Sequence, residues 1–327
     1  MTRFQEMIAA RKALGLHICV GLDVRYYELP GAHRDRFAND PDDIFNALST
    51  FTADVAFETS DQALCFKPNY TFAEGEDSAN DHEVGHRVMY DAIWNRIRVN
   101  TPDIGVIVDR KGEEIGNSAK NTAHRVFDIL GADATTISPW MGYEDSMDVF
   151  LNREDKFSFV LCRTSNRGSD VLQKGLRLIE RSEAVIFPEA TPIGEEAEIF
   201  HEGLYYYHHA PEYLYVAHLA TRLWNRHGNV GLVVGANRPE ELEAVCKIVA
   251  GTGVLLLIPG GKTQGGRPEV FVPILKRTGC MDQALINYSR DVLYPEKGQP
   301  SDGLNFAAQA AERLARAHEQ IENLLAV

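Results

Sequence analysis

The stretch VIVDRKGEEIGNSA, residues 106–119, joins a short apolar run to a group of charged side chains. The β-branched residues 106–108 are typical of a buried parallel strand. Asp109, Lys111 and Glu114 follow at once. In α/β folds the chemistry lies just past the carboxyl ends of such strands. The stretch therefore predicts a parallel strand that ends in functional charged groups.

Eight apolar or β-branched runs of this kind occur along the chain, and most are followed by a helix-like stretch. The runs are HICVGLD (17–23), ALCFKP (63–68), GVIVD (105–109), ATTIS (134–138), FSFVLC (157–162), VGLVVGA (230–236), VLLLIP (254–259) and ALINYS (284–289). Clear helical segments are 41–60, 82–100, 239–250 and 269–278. Eight alternating units favour an α/β fold, a (β/α)8 TIM barrel, with residues 1–327 as a single domain. A doubly wound sheet is the alternative, but it usually has fewer strands and a glycine-rich first turn.

Residues 182–215 depart from this alternation, being acidic at first and then dense in tyrosine and histidine. They follow the fifth predicted strand, so we expect an insertion on the loop between the fifth strand of the barrel and the helix that follows it. We expect this insertion to contain some helix. Long loops on the carboxyl-end face are candidates for a lid or a dimer contact. A surface excursion that packs its own tyrosines is the other interpretation.

Composition excludes several classes of protein. A net charge of −14 argues against nucleic acid as a partner. Residues 1–15 form an amphipathic pattern without the apolar segment of a signal peptide, and the longest apolar run, 254–258, is too short to cross a membrane. The five cysteines form no C-x-x-C pair, which predicts reduced thiols in the cytoplasm. His201, His208, His209 and His218 lack the spacing of a metal site, so no metal is expected.

The strand ends, taken together, resemble the longer bacterial type of the orotidine 5′-monophosphate decarboxylase superfamily. The motifs occur in order as CVGLD (19–23), FKPN (66–69), D-x-K (109–111), ISPWMG (137–142), LCRTSN (161–166), GLVVGA (231–236), PGGKTQGG (259–266) and NYSRDVLYP (287–295). The resemblance covers nearly the whole chain except 182–215. It implies a TIM barrel and a carboxy-lyase of pyrimidine biosynthesis that converts orotidine 5′-monophosphate to UMP without a cofactor.

The resemblance also implies an alternating row of cations and anions under the pyrimidine ring. The row consists of Lys67, Asp109, Lys111 and Glu114. In the family the last acid of the row comes from the neighbouring subunit, with Ile115 and Ser118 beside it. A homodimer with a shared active site is therefore expected.

The remaining substrate contacts are implied on other strand ends. Asp23 would bind a ribose hydroxyl, and Ser165 would hydrogen-bond the pyrimidine edge. Gln264, Gly265 and Arg290 would hold the 5′-phosphate, by side chain or by backbone N–H. The expected partner is a small pyrimidine nucleotide.

The chemistry of the row fits this reaction. Loss of CO2 from C6 leaves a carbanion with no adjacent carbonyl or cofactor, and the Lys111 ammonium can stabilise it and then protonate it. Asp109 would orient Lys111 and repel the substrate carboxylate by about 4 kcal/mol at ~4 Å and an effective dielectric of ~20. That repulsion is worth roughly three orders of magnitude in rate. The rest has to come from binding of the phosphate and ribose.

Other interpretations of these motifs are weaker. An isolated Asp-x-Lys pair is usually a surface ion pair of little value. The stretch GGKT (260–263) imitates a Walker A loop, but Leu256 stands where that motif needs glycine. Hydrolysis of nucleoside triphosphates is therefore not expected.

Four positions depart from the family pattern D-x-K-x-x-D-I-x-x-T and its companions. Glu114 replaces aspartate, Ser118 threonine, Lys262 glycine and Arg167 proline. The extra methylene of Glu114 moves its carboxylate by up to about 1.5 Å, and a misplacement of ~1 Å can cost on the order of 10²-fold in rate. Two alternatives thus stay open. They are a diverged homologue acting on another pyrimidine nucleotide or sugar phosphate, and a weakly active UMP-binding protein.

Overall fold

A computed structural model of the chain describes residues 1–40, 42–77, 83–112, 114–180, 183, 195–201, 204–296 and 303–326. Eight of the described strands close into a barrel. They are β1 (Ile18–Leu22), β2 (Cys65–Pro68), β3 (Gly105–Val108), β4 (Ala134–Ile137), β5 (Phe157–Arg163), β9 (Val230–Val234), β10 (Leu255–Pro259) and β11 (Ala284–Tyr288). All neighbouring barrel strands pair in parallel, and β1 pairs with both β2 and β11. The predicted TIM barrel is confirmed.

Helices connect the strands and cover the outside of the barrel. In chain order they are α1 (Arg3–Lys12), α2 (Gly31–Asp35), α3 (Asp43–Thr59), α4 (Tyr70–Glu74), α5 (Val84–Tyr90), α6 (Arg98–Asn100), α7 (Gly116–His124), α8 (Asp148–Leu151), α9 (Ser169–Gln173), α10 (Glu212–Leu219), α11 (Pro239–Val249), α12 (Pro268–Arg277), α13 (Arg290–Leu293) and α14 (Phe306–Ala326). Their apolar faces bury a core against the outer side of the strands. All four helical segments predicted from periodicity contain observed helix.

The inside of the barrel is a second, separate apolar core. Phe4 of α1 enters from the amino-terminal end of the strands and contacts Phe157 and Phe159, with ring centroids 5.4 and 6.0 Å apart. Gly105 permits this approach, because a Cβ there would lie 2.8 Å from the Phe4 ring. A capping box between Thr2 and residue 5 fixes the start of α1. The base of the barrel is therefore filled by side chains.

Between β5 and β9 the chain forms a separate three-stranded antiparallel sheet. Its strands are β6 (Leu176–Glu180), β7 (Glu195–His201) and β8 (Leu204–Pro211), in the order β6-β8-β7. The stretch 182–215, part of which lies outside the described residues, was expected to contain some helix but not a sheet. The described backbone there is mainly extended, and helix begins only at Glu212. The β-forming composition of β7 and β8, rich in tyrosine, phenylalanine and isoleucine, accounts for the difference.

Two expectations from composition can be compared with the structure. The five cysteines are buried free thiols, as expected. Within the described residues, no helix is both long enough and apolar enough to span a bilayer.

Candidate active site

Four charged side chains meet at the carboxyl ends of β1, β2 and β3. The Lys67 ammonium lies 2.6 Å from Oδ2 of Asp109 and 3.7 Å from Oδ1 of Asp23, which follows β1. The Lys111 ammonium lies 2.5 Å from the other oxygen, Oδ1, of Asp109. Asp109 thus bridges two lysines. The structure brings together Asp23 and three members of the predicted row, Lys67, Asp109 and Lys111.

Burial and charge compete within this group. Lys67 is 4% exposed and Asp109 6%, so both groups are almost fully removed from water. Burial alone would lower the pKa of Lys67, but the carboxylates of Asp109 and Asp23 outweigh it and raise the pKa above its ordinary value. Burial would likewise raise the pKa of Asp109, but Lys67 and Lys111 hold it well below its usual range. Lys67 and Asp109 therefore stay ionised at neutral pH.

The two lysines differ in their access to solvent. The Lys67 side chain is 5% exposed, whereas that of Lys111 is 47% exposed at the open mouth of the barrel. Lys111 therefore lies between a buried anion and the space where a ligand can enter. A group in that position can donate a proton to a ligand and be recharged from water.

Thr136 of β4 completes the arrangement, and the sequence analysis did not single it out. Its hydroxyl donates to Oδ1 of Asp109 (2.8 Å) and accepts the backbone N–H of Lys111 (3.1 Å). Lys111 has a φ of +55°, in the left-handed region that residues other than glycine rarely adopt. Its inward-facing position in the predicted strand ATTIS (134–138) was the sequence feature that could have pointed to Thr136.

In the part of the chain that the structure describes, no hydrogen bond or ion pair joins the side chains of Glu114, Ile115 and Ser118 to the charged group. Their side chains are exposed, and Ile115 precedes the first turn of α7. The carbonyl of Glu114 accepts a hydrogen bond from the Ser146 hydroxyl (2.8 Å). Among the described residues, none forms an ion pair with the Glu114 carboxylate. The fourth member of the predicted row is therefore not part of the row in a single chain.

The loop that carries Ser165 follows β5 and is fixed from two sides. The Asn237 side chain, after β9, donates to the Ser165 carbonyl at 2.9 Å. Arg163, which is fully buried, donates to the Ser169 hydroxyl at 2.6 Å and pairs with Asp170. Asn237 was not predicted from the sequence, because its contact depends on strands that are adjacent only in the closed barrel.

The glycine-rich loop after β10 is compact. Gly265 has a φ of +80°, and the N–H of Gly266 donates to the Gly261 carbonyl at 3.0 Å. A Cβ at Gly266 would lie 2.0 Å from the Gly260 carbonyl oxygen, so this close approach requires glycine. Gln264 ends a short helical turn here, and its side chain lies outside the described residues.

Arg290 and the two remaining departures are all exposed. Arg290 begins α13, directly after β11. Lys262 lies in the glycine-rich loop, and Arg167 lies in the loop of Ser165. Every predicted site residue therefore follows, or ends, a strand of one barrel rim, although Glu114 is set apart from the ionised group.

The rim thus holds a preorganised cation–anion–cation group in which the Lys111 side chain is half exposed. Such a site suits reactions in which negative charge develops on a bound ligand. The described residues contain no group of three histidine, cysteine, aspartate or glutamate side chains that could hold a metal ion. Fold and site define a (β/α)8 barrel protein with an ionic strand-end site.

Comparison with known proteins identifies the family. Residues 17–269 match the orotidine 5′-phosphate decarboxylase / HUMPS family. The chain is 34% identical over 313 residues to orotidine 5′-phosphate decarboxylase from Herpetosiphon aurantiacus, covering 96% of this chain and 95% of that protein. The chain belongs to the orotidine 5′-phosphate decarboxylase family.

Solved structures agree with this assignment. The OMP decarboxylase of Leishmania donovani superposes with a TM-score of 0.68 at 25% identity, over 99% of each chain. The UMP synthase of the same organism gives a TM-score of 0.70 at 26% identity. This chain covers 57% of that longer protein and 99% of its own length.

Proposed function

We propose that this protein decarboxylates orotidine 5′-monophosphate to UMP without a cofactor. The observation that carries the proposal is the ionised Lys67–Asp109–Lys111 group at the barrel rim. The names of the relatives support the same reaction. They do not favour the alternative of a different pyrimidine nucleotide or sugar phosphate.

In the proposed reaction, Asp109 and Lys111 carry opposite charges and act on different parts of the substrate. The bond between C6 and the carboxylate breaks, its electron pair stays on C6, and CO2 leaves. Asp109 repels the departing carboxylate, while the Lys111 ammonium stabilises the pair on C6 and gives it a proton. Solvent returns a proton to Lys111, which its exposed position allows.

Remote groups of the substrate would supply most of the remaining rate enhancement. Asp23 would bind the ribose and Ser165 the pyrimidine edge. Gln264 and the Arg290 guanidinium would hold the phosphate, whereas the N–H of Gly265 donates to the Lys262 carbonyl at 2.9 Å. The fixed loop of Ser165 supports the role of that residue, because the Asn237 side chain holds the Ser165 backbone in one defined geometry.

An assay with purified protein tests the proposal. Orotidine 5′-monophosphate should disappear with equimolar formation of UMP and CO2. Lys111→Ala should lower turnover by about 10³-fold or more, since general acid catalysis and charge stabilisation are both lost. Lys120→Ala, which removes an exposed lysine of α7, is the matched control and should leave turnover unchanged. A protein that binds UMP but does not consume orotidine 5′-monophosphate would contradict the proposal.

We further propose a homodimer in which Glu114 enters the partner's site. Two observations support this arrangement. The Glu114 carboxylate is set apart from the row of its own subunit. Large apolar side chains in the loops after β3 and β4 are exposed, with Ile115 at 59% and Trp140 at 70%. Exposed apolar groups clustered beside a site favour a protein interface.

Mixing two inactive variants tests the shared site. Lys111→Ala and Glu114→Ala should each be inactive alone. After unfolding and refolding together, about one quarter of the sites would hold both native residues, because half of the dimers are mixed and each has one complete site. No recovery of turnover would place Glu114 in its own subunit's site and contradict the proposal.

The same proposal covers location and domain organisation. Five buried free thiols favour a reducing compartment, so we propose a cytoplasmic enzyme.

We also propose that the barrel and the three-stranded sheet form one domain. Helix α10 supports this, because it contacts both β5 of the barrel and β8 of the small sheet.

A further inference from the structure

We propose that Thr136 is a positioning residue that holds Asp109 and Lys111 in their reactive geometry. The proposal rests on the decarboxylase function proposed above, and it adds a residue that does not touch the substrate. Thr136 is 2% exposed and lies on β4, next to the strand that carries the charged pair.

The Thr136 hydroxyl links two parts of the same pair. It donates its single hydrogen to Oδ1 of Asp109, the oxygen that also accepts from the Lys111 ammonium. A lone pair of the same hydroxyl accepts the backbone N–H of Lys111. One hydroxyl can form both bonds at once. It therefore fixes the orientation of the carboxylate and the backbone of the lysine together.

The backbone of Lys111 needs such an anchor. Its φ of +55° is unfavourable for a residue with a Cβ and persists only when the surroundings impose it. The Lys111 side chain is half exposed, so packing around the side chain cannot fix the backbone. The bond from its N–H to Thr136 is the polar contact that holds this backbone in place.

The neighbouring threonine provides a matched control. Thr135 is also buried, but it faces the other side of β4 and donates to the Val108 carbonyl at 2.9 Å. Thr135→Val and Thr136→Val remove the same atoms from adjacent positions of one strand. Only Thr136→Val removes contacts to the charged pair. Thr136→Ser keeps the hydroxyl and serves as the conservative variant.

The kinetic experiment compares these three variants. We expect Thr136→Val to lower kcat on the order of 10²-fold, because Lys111 moves by a fraction of an ångström to ~1 Å. The affinity for UMP should stay within about threefold, since the residues proposed to bind it are unchanged. Thr136→Ser should recover most of kcat, and Thr135→Val should match the wild type. Equal losses in the two valine variants would show a general effect on β4 and overturn the proposal.

Amide hydrogen exchange at Lys111 tests the positioning independently of turnover. Exchange should be about tenfold faster or more in Thr136→Val than in Thr135→Val, because the N–H loses its acceptor. An unchanged exchange rate in Thr136→Val would overturn the proposal. If the wild type does not consume orotidine 5′-monophosphate, the proposed function fails while this measurement still decides the role of Thr136. If Thr136→Val does not fold, Thr136→Ala against Thr136→Ser gives the same comparison.

Discussion

Two lysines at opposite ends of the barrel have pKa values that are shifted in opposite directions. Lys67, at the carboxyl ends of the strands, contacts the carboxylates of Asp109 and Asp23, and its pKa is raised. Lys12, at the other end, has its ammonium 3.1 Å from Nδ1 of His17 and 2.9 Å from the Met281 carbonyl. Burial lowers the pKa of Lys12 to about 8, with Asp282 and Cys65 opposing it only in part.

The difference shows what keeps a buried charge in place. A neutral acceptor satisfies the hydrogen bonds of an ammonium but does not replace the energy of hydration, so the charged form is disfavoured. A carboxylate in direct contact does replace it. The carboxylates beside Lys67 thus keep its ammonium charged. Lys12, at the other end of the barrel, joins α1 to the loop before β11.

Asp109→Asn removes the carboxylate that contacts Lys67, and we expect it to have the largest effect of the substitutions that test this comparison. The substitution keeps the shape of the side chain but leaves Lys67 with only Asp23 at 3.7 Å. Removing one partner of a buried ion pair costs about 3–5 kcal/mol. We expect a loss of that size in urea unfolding, together with a fall in turnover of at least about 10²-fold. A variant as stable as the wild type would show that the charge of Asp109 does not hold Lys67.

Phe4→Ala tests whether the amino-terminal end of the barrel affects the stability of the protein but not its turnover. The ring is fully buried and plugs the barrel, so its loss should cost about 3 kcal/mol or more in unfolding free energy. Turnover at a temperature where the protein is folded should not change, because the charged group lies at the other end. Phe57→Ala is the control, since that ring is exposed on α3 and should cost little. A strong loss of turnover in folded Phe4→Ala would mean that the two ends are coupled.

We expect the smallest effect from Lys12→Met, which should change how the unfolding free energy depends on pH. The folded pKa of Lys12, about 8, lies below the unfolded value of 10.5, so the unfolded state binds more protons between these values. Stability from this group therefore rises with pH across that window. Methionine keeps the aliphatic stem but cannot titrate. Its stability relative to the wild type should fall by about 2 kcal/mol between pH 7.5 and 10.5, allowing for partial exposure of the side chain. A constant difference in urea unfolding across that range would contradict the assignment.

Much of the barrel could be predicted from the sequence, because its strands are short apolar runs buried on both faces. The predicted strand 105–109 is observed as Gly105–Val108, and 254–259 as Leu255–Pro259. The sheet of β6, β7 and β8 was not predicted. Its antiparallel pairing joins Leu176 to Pro211 across 35 positions, and local patterns do not specify such contacts.

The candidate site was predictable where it depends on strand ends and not where it depends on strand faces. Asp109 and Lys111 follow a recognisable strand, and a closed barrel must bring them near the end of β2. Thr136 looks like any β-branched residue of a strand, and its role emerges only from the register of β3 and β4. In the dimer proposed above the place of Glu114 depends on contacts between two chains, which neither its sequence position nor its local backbone determines.

Because the Phe4 ring fills the amino-terminal end of the barrel, the strands do not enclose a channel that is open at both ends. A ligand therefore reaches the ionised groups from the carboxyl-end rim, where the Lys111 side chain is half exposed.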